Sequence, residues 1–122
     1  MIRIVVPGPQ VATNAAYRGG RGRYWMTKEG KEFVERVKAC TVRAVKQRSS
    51  MPFPWFSGPV YVSIDFFFRS ARNDVDGPIK LVLDALAPAV YSNDRQVETL
   101  VAAKFVDSKS PRTVIQIMEL VG

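Results

Sequence analysis

Val60-Tyr61-Val62-Ser63-Ile64-Asp65-Phe66-Phe67-Phe68 is the stretch that decides the fold. Val60, Val62, Ile64, Phe66 and Phe68 alternate with Tyr61, Ser63, Asp65 and Phe67, the period of a β-strand. One face is wholly apolar and the other is mixed, which predicts a strand near the centre of a sheet. It runs straight into Arg69-Ser70-Ala71-Arg72-Asn73-Asp74-Val75-Asp76-Gly77-Pro78-Ile79-Lys80. A helix is expected from about Pro78, a favoured first-turn residue, to Ala87, with Pro88 stopping it. Ile79, Val82, Leu83 and Leu86 form its expected buried face. Asp76, Lys80 and Asp84 fall four apart on a separate stripe, and an ordinary surface pair between Lys80 and Asp84 is one reading of that lysine.

Working outward from this centre, Ile2 to Val6 reads as a short buried strand ended by Pro7-Gly8-Pro9. Residues 10–26 show no period. Arg18-Gly19-Gly20-Arg21-Gly22-Arg23-Tyr24-Trp25 within them reads either as a solvated loop or as a nucleic-acid contact. The arginines suit phosphates and the two aromatics suit stacked bases. Thr27 can cap a helix reaching about Arg48, with Phe33, Val34, Val37, Cys40, Thr41, Ala44 and Val45 on one apolar stripe. Phe53, Trp55 and Phe56, in the Pro-rich loop from Ser49 to Pro59, suit a lid on the core or a subunit interface, or a wedge against bases. Val97–Val106 and Thr113–Leu120 read as strands, and Asp107-Ser108-Lys109-Ser110-Pro111 between them predicts a hairpin. The expected class is α+β in the order β-α-β-α-β-β. It is one domain, 1–122, with helices packed on a mixed sheet whose two β-α-β crossovers pair in parallel.

Composition narrows the function. The 122 residues carry a net charge of +7, which points to a polyanionic partner. No apolar run approaches the ~20 residues of a membrane span. The first residues lack a signal-peptide pattern, so a cytoplasmic protein is expected. There is no histidine, which removes His general bases, Ser-His-Asp triads and His-metal nuclease sites. With one cysteine, Cys40, no disulfide or zinc cluster can form within the chain. Any catalysis must use carboxylates, lysine, tyrosine, serine or a metal held by oxygen.

Asp74 and Asp76 are two apart, so in extended chain both carboxylates face one side. Asp94, in Tyr91-Ser92-Asn93-Asp94-Arg95-Gln96, precedes the next strand and comes near them if that strand lies beside Val60–Phe68. Converging carboxylates repel unless a cation neutralises them, and Mg²⁺ takes a few carboxylates, waters and phosphate oxygens. Such a site can activate water against a phosphodiester. Asp74 and Asp94 can equally well be turn-capping residues. The competing reading of the whole chain is a non-catalytic basic module that binds DNA or RNA, its acids structural.

Asp74-Val75-Asp76-Gly77-Pro78-Ile79-Lys80, Leu83-Asp84-Ala85-Leu86 and Tyr91-Ser92-Asn93-Asp94-Arg95-Gln96-Val97 together resemble the RusA family of Holliday junction resolvases of bacteria and prophages. Asn14, Tyr17-Arg18, Lys104 and Pro111-Arg112 extend the resemblance over nearly the whole chain. It implies a metal-dependent homodimer that nicks four-way DNA junctions in pairs. By position, Asp74, Asp76 and Asp94 become the metal-binding catalytic acids, with Mg²⁺ or Mn²⁺ as cofactor, and Lys80 the catalytic lysine. Arg18, Arg21, Arg23, Lys28, Arg69, Arg72 and Lys104 are the candidates for DNA contact. Two departures stand out: Gly77 replaces the family's Asn after the second Asp, and Asn93 replaces the first Asp of its D-D pair.

Overall fold

The computed structural model describes residues 1–20, 22–48 and 52–121. The chain runs β1 (Ile2–Pro7), α1 (Thr13–Ala16), β2 (Tyr17–Gly20), β3 (Arg23–Met26), α2 (Lys28–Arg48), β4 (Val60–Phe68), α3 (Ile79–Ala85), a 3-10 turn (Asp94–Gln96), β5 (Val97–Val106) and β6 (Arg112–Glu119). The α+β class is as expected, with a mixed four-stranded sheet ordered β1-β6-β4-β5.

β4 takes an interior position, parallel to β5 on one side and antiparallel to β6 on the other. Its apolar set Val60, Val62, Ile64, Phe66 and Phe68 is buried, beside Ile115 and Ile117 of β6 and Ile2, Ile4 and Val6 of β1. The helices cover this face. α2 packs on β1 and α3 through Phe33, Val37, Thr41 and Val45. Its N-terminus is capped as the sequence suggests, Thr27 Oγ1 accepting from the Gly30 N–H at 3.1 Å. Cys40 is half-buried against the core. On α3, Leu81 and Ala85 join Val82 in the core, and Ile79 and Leu83 are only partly covered.

Two topological expectations fail. β5 and β6 do not pair as a hairpin: β6 inserts between β1 and β4, and the connection crosses the end of β4, where the Asp107 N–H donates to the Phe68 carbonyl at 2.8 Å. For the same reason β1 and β4 run the same way without being neighbours, so only the crossover from β4 to β5 is a parallel pair. The turn residues mislead because their chemistry is local. The Asp107 carboxylate accepts from the Lys109 and Ser110 N–H groups and from Arg112 Nη1, whichever strand lies next door. In the sheet β4 lies between β5 and β6, paired with β5 on one edge and β6 on the other.

Residues 10–26 are also more ordered than their lack of period suggests. α1 precedes a two-stranded ribbon, β2 with β3, in which Arg18 pairs with Trp25 and Gly19 with Tyr24. Tyr17, Tyr24 and Trp25 are all exposed, so no in-out alternation marks the strands. Gly22, at φ +78°, takes the left-handed conformation of a tight turn.

α1 and the ribbon cross the first turn of α2 at Gly30. A Cβ there would stand 2.9 Å from Ala16 Cβ, 3.0 Å from the Ala16 carbonyl and 3.0 Å from Met26 Cγ. Alanine is normally the better helix residue by about 1 kcal/mol. Here overpacking, which costs about 1–3 kcal/mol, outweighs that gain. Gly30→Ala should therefore lower the melting temperature, by an amount on the order of 5 °C. A rise would show that α1 and the ribbon do not seat on α2 in solution.

Candidate active site

The carboxylates sit where β4 ends and α3 begins. Beyond Phe68 the chain turns through 69–78, and two interactions hold this loop. Lys104 of β5 extends beneath it, its ammonium donating to the carbonyls of Ala71 (3.1 Å) and Asn73 (2.8 Å). From the other side the Thr13 N–H donates to the Gly77 carbonyl at 2.8 Å. The approach there is close: a Cβ on Gly77 would lie 3.2 Å from Ala12 Cβ and 3.3 Å from the Asp74 carbonyl. Gly77 thus suits a tight seam between residues 12–13 and the loop. Gln10 anchors the same segment, its Nε2 donating to the carbonyls of Phe67 (3.1 Å) and Arg112 (2.6 Å).

Between the 10–14 segment and the loop lies a depression of about 450 Å³. Asp74, Asp76, Arg72, Asn73 and Asn14 are among its lining residues. Among the described residues, no hydrogen bond or ion pair engages the side chains of Asp74 or Asp76.

Asp94 is differently placed. Its Oδ2 accepts from Lys80 Nζ at 2.6 Å, and Lys80 also pairs with Asp84 Oδ1 at 3.0 Å. The sequence pairing of Lys80 with Asp84 is therefore present, and so is a contact with Asp94 that spacing along one helix cannot reveal. The Lys80 hydrogen bond holds the Asp94 carboxyl below the ordinary carboxylate range. The same bond, with a second from Asp84, raises the Lys80 ammonium. The turn bearing Asp94 is built by its neighbours. Buried Tyr91 donates its hydroxyl to the Leu83 carbonyl at 2.6 Å, and burial, aided by Asp94 and Asp84, pushes that hydroxyl's pKa up, keeping it a neutral donor. Asn93 Oδ1 caps the turn by accepting from the Arg95 N–H at 2.9 Å, so Asn serves here in place of Asp. Gln96 Nε2 donates to the carbonyls of Phe56 and Gly58, tying the turn to the preceding loop.

The three aspartates thus divide between Asp74 and Asp76 at the depression and Asp94 at Lys80. No group of three or more His, Cys, Asp or Glu side chains among the described residues is close enough to hold a metal ion. The donor chemistry, oxygen only and anionic, matches a hard divalent cation. Asp94 would have to exchange Lys80 for that cation to join the set.

Of the basic candidates, Arg18, Lys28, Arg69 and Arg72 are exposed. Arg21 and the side chain of Arg23 lie outside the described residues, as do Ser49 to Met51 of the aromatic loop. Sequence reading gave no hint of the anchoring by Gln10 and Gln96 or of the loop contact made by Lys104. A long-range bond from a side chain to a backbone carbonyl leaves no periodic or spacing signal.

A carboxylate-bearing loop beside arginines, at the end of a mixed sheet in a small basic α+β protein, has groups that suit a phosphodiester and a hard cation. The sequence matches the family described as endodeoxyribonuclease RusA over residues 7–118. The chain belongs to the RusA endodeoxyribonuclease family. None of the curated proteins compared with it matches.

Two outcomes are expected from the site's lysines. In Lys80→Met the Asp94 pKa should rise toward the ordinary carboxylate value, read by carboxyl-carbon NMR. The sign follows from the lowered folded value: the stability Asp94 contributes is present above the ordinary carboxylate pKa and lost as pH falls through the lowered one. The pair is half exposed, so that contribution should be under about 1 kcal/mol. An unmoved Asp94 would mean that the ion pair does not persist in water. In Lys104→Met, amide hydrogen exchange over residues 70–76 should quicken about tenfold, since about 1.4 kcal/mol of lost tether is one decade. That loss is in the range of hydrogen bonds to a charged donor. Unchanged protection would show that the loop holds itself.

Proposed function

We propose that the protein is a divalent-cation-dependent endonuclease that resolves four-way DNA junctions by paired phosphodiester hydrolysis, as a homodimer in the cytoplasm. The observation that carries this reading is the family match across residues 7–118, which takes in every acid of the site. Asp74, Asp76 and Asp94 would hold the cation, with Mg²⁺ favoured over Mn²⁺. When bound, such an ion neutralises phosphate charge and lowers the pKa of water.

The chain's own groups do the rest. Lys80, on leaving Asp94, stays within reach through Asp84 and offers its compact charge to the phosphate under attack. Arg18, Lys28, Arg69 and Arg72, with Arg21 and Arg23, give the backbone contacts that position DNA. Lys104 acts through the loop that it holds.

Pairing of two copies is supported by the sheet face opposite the helices. Phe67 and Phe105 stack there at 4.9 Å between centroids, and the Arg112 guanidinium lies 3.8 Å over the Phe67 ring. Phe105 is 47% exposed, and Val5, Val101 and Met118 are exposed on the same face. The face is mixed, since Arg3, Ser63, Asp65 and Gln116 share it, and its exposed apolar part at Phe67 and Phe105 is what a two-fold interface would cover. A second copy is its occupant in this reading, because paired nicks across a junction need two sites related by symmetry.

The test combines a synthetic four-way junction with and without Mg²⁺. Asp74→Asn, Asp76→Asn and Asp94→Asn should each abolish cleavage and leave junction binding intact or tighter, because less negative charge repels phosphate. Full cleavage by all three would remove the metal-site assignment. Phe105→Asp should convert a dimer to a monomer by light scattering. A wild-type chain already monomeric at micromolar concentration would end the dimer reading.

A further inference from the structure

We infer that the groove between the free edge of β1 and the C-terminal half of α2 is a second phosphate-binding site. It seats the backbone of a duplex arm as that arm leaves the junction, well away from the acids. The choice of DNA as its ligand rests on the endonuclease reading above, to which the groove adds a contact remote from the chemistry.

The groove has a volume of about 160 Å³. Arg3 and Val5 of β1 line it on one side, and Cys40, Arg43 and Gln47 of α2 on the other. β1 is the outermost strand and pairs only with β6, so its other edge opens here. The outward N–H groups of such an edge can donate to an anion, as backbone amides do to DNA phosphates.

What marks the groove is charge without a partner. Arg3, Arg43 and Gln47 are exposed. Among the described residues no hydrogen bond or ion pair engages the side chain of any of them. Arg36, two turns before Arg43 on the same stripe of α2, shows what a committed arginine does here. Its Nε donates to the Pro7 carbonyl at 3.1 Å and its Nη2 to the Pro9 carbonyl at 2.6 Å. Nor does the sequence place an acid close by, since none lies between Glu35 and Asp65. Lys46 and Arg48 suit the negative end of the helix dipole, but Arg43 precedes the last turn and Arg3 is on a strand. A charge on an edge strand also deters strand pairing, for which Arg3 alone would serve. Two guanidiniums from different elements beside one small space are the donors best shaped for phosphate oxygens.

The register shows why a duplex arm is the ligand. Pro7, Arg112 and Phe67 lie level at the end of the sheet where the acidic loop leaves, and Arg3, Gln116 and Ser63 lie level four residues further down. Four residues of strand are about 13 Å. At about 3.4 Å of axis per nucleotide, a backbone running from the acids to the groove spans about four nucleotides or more. Residues 10–14, which line the depression, follow directly from β1, so depression and groove lie toward the same edge of the sheet. One arm can therefore touch both.

Two measurements test the groove, both made without divalent cation so that cleavage does not enter. In the first, neutral methylphosphonates replace phosphates one at a time along a junction arm. Wild-type binding should weaken several-fold where the neutral linkage lies about four or more nucleotides from the branch point. Arg3→Gln with Arg43→Gln should bind the unmodified junction less tightly and no longer respond to those linkages. Its log–log salt slope should be smaller by about 1.8, two contacts at about 0.9 each. Arg3→Lys with Arg43→Lys, which keeps the charge, should restore most of the slope. An unchanged slope in the glutamine variant, or an equal response of both proteins to the neutral linkages, overturns the groove.

The second measurement uses Cys40, the one cysteine of the chain, half-buried in the groove wall. A bound junction should slow its alkylation by iodoacetamide several-fold, and neutral linkages at the responsive positions should lessen that protection. An unprotected Cys40 on a saturated complex overturns the groove. If Mg²⁺ then supports cleavage by that same complex, the groove falls and the endonuclease stands. A protected Cys40 and an arginine-dependent slope in a protein that cleaves nothing leave the groove in place and remove the endonuclease reading.

Discussion

A strand pairs through backbone groups on both its edges, and an interior strand leaves neither row unpaired. β4 is such a strand, and its pairing on both sides organises the molecule. β5 and β6 must lie on opposite flanks, so the link between them has to cross the C-terminal end of β4. That crossing, Asp107 onto Phe68, closes the end of the sheet from which the acidic loop leaves. The loop then has a strand on each side to anchor it. Lys104 reaches it from β5, and Gln10 ties the facing segment to the carbonyls of Phe67 and Arg112. The site is therefore supported by the sheet itself rather than by α3 alone.

How much of this could be read from residues depends on whether the information is local. The β4 alternation, the Thr27 cap, the α2 stripe and the Lys80–Asp84 spacing are local, and each is found in the structure. Turn chemistry is local too, and for that reason it could not tell a hairpin from a link that hops one strand. The β2–β3 ribbon escaped because both its faces are wet, which removes the alternation a strand normally shows. β5 does lie beside β4, but in parallel, which puts Asp94 away from the depression that Asp74 and Asp76 line. The partner it finds there is Lys80, a contact set by how the turn after α3 folds back through Tyr91 and Leu83.

The balance of charge is informative for the same reason. A chain with net charge +7 keeps several acids within one region, and it does so partly by spending lysines on them. Lys80 lies between Asp84 and Asp94 and pairs with both, offsetting one of their two negative charges. Asp74 and Asp76 have no such partner among the described residues. Both are exposed on a tethered turn at the depression, where an external cation can reach them. The region thus has one part partly compensated by protein charge and one part that no side chain among the described residues pairs with.

The two faces of the sheet divide the remaining tasks. Helices and acids occupy one side and one end, and the other side keeps its aromatics and aliphatics open. In the proposed dimer two open faces meet back to back. The acidic loop leaves from the end of β4, just beyond the Phe67 that this face presents. Exposed apolar area on one face and exposed carboxylates at one end are thus two separate demands met by one sheet.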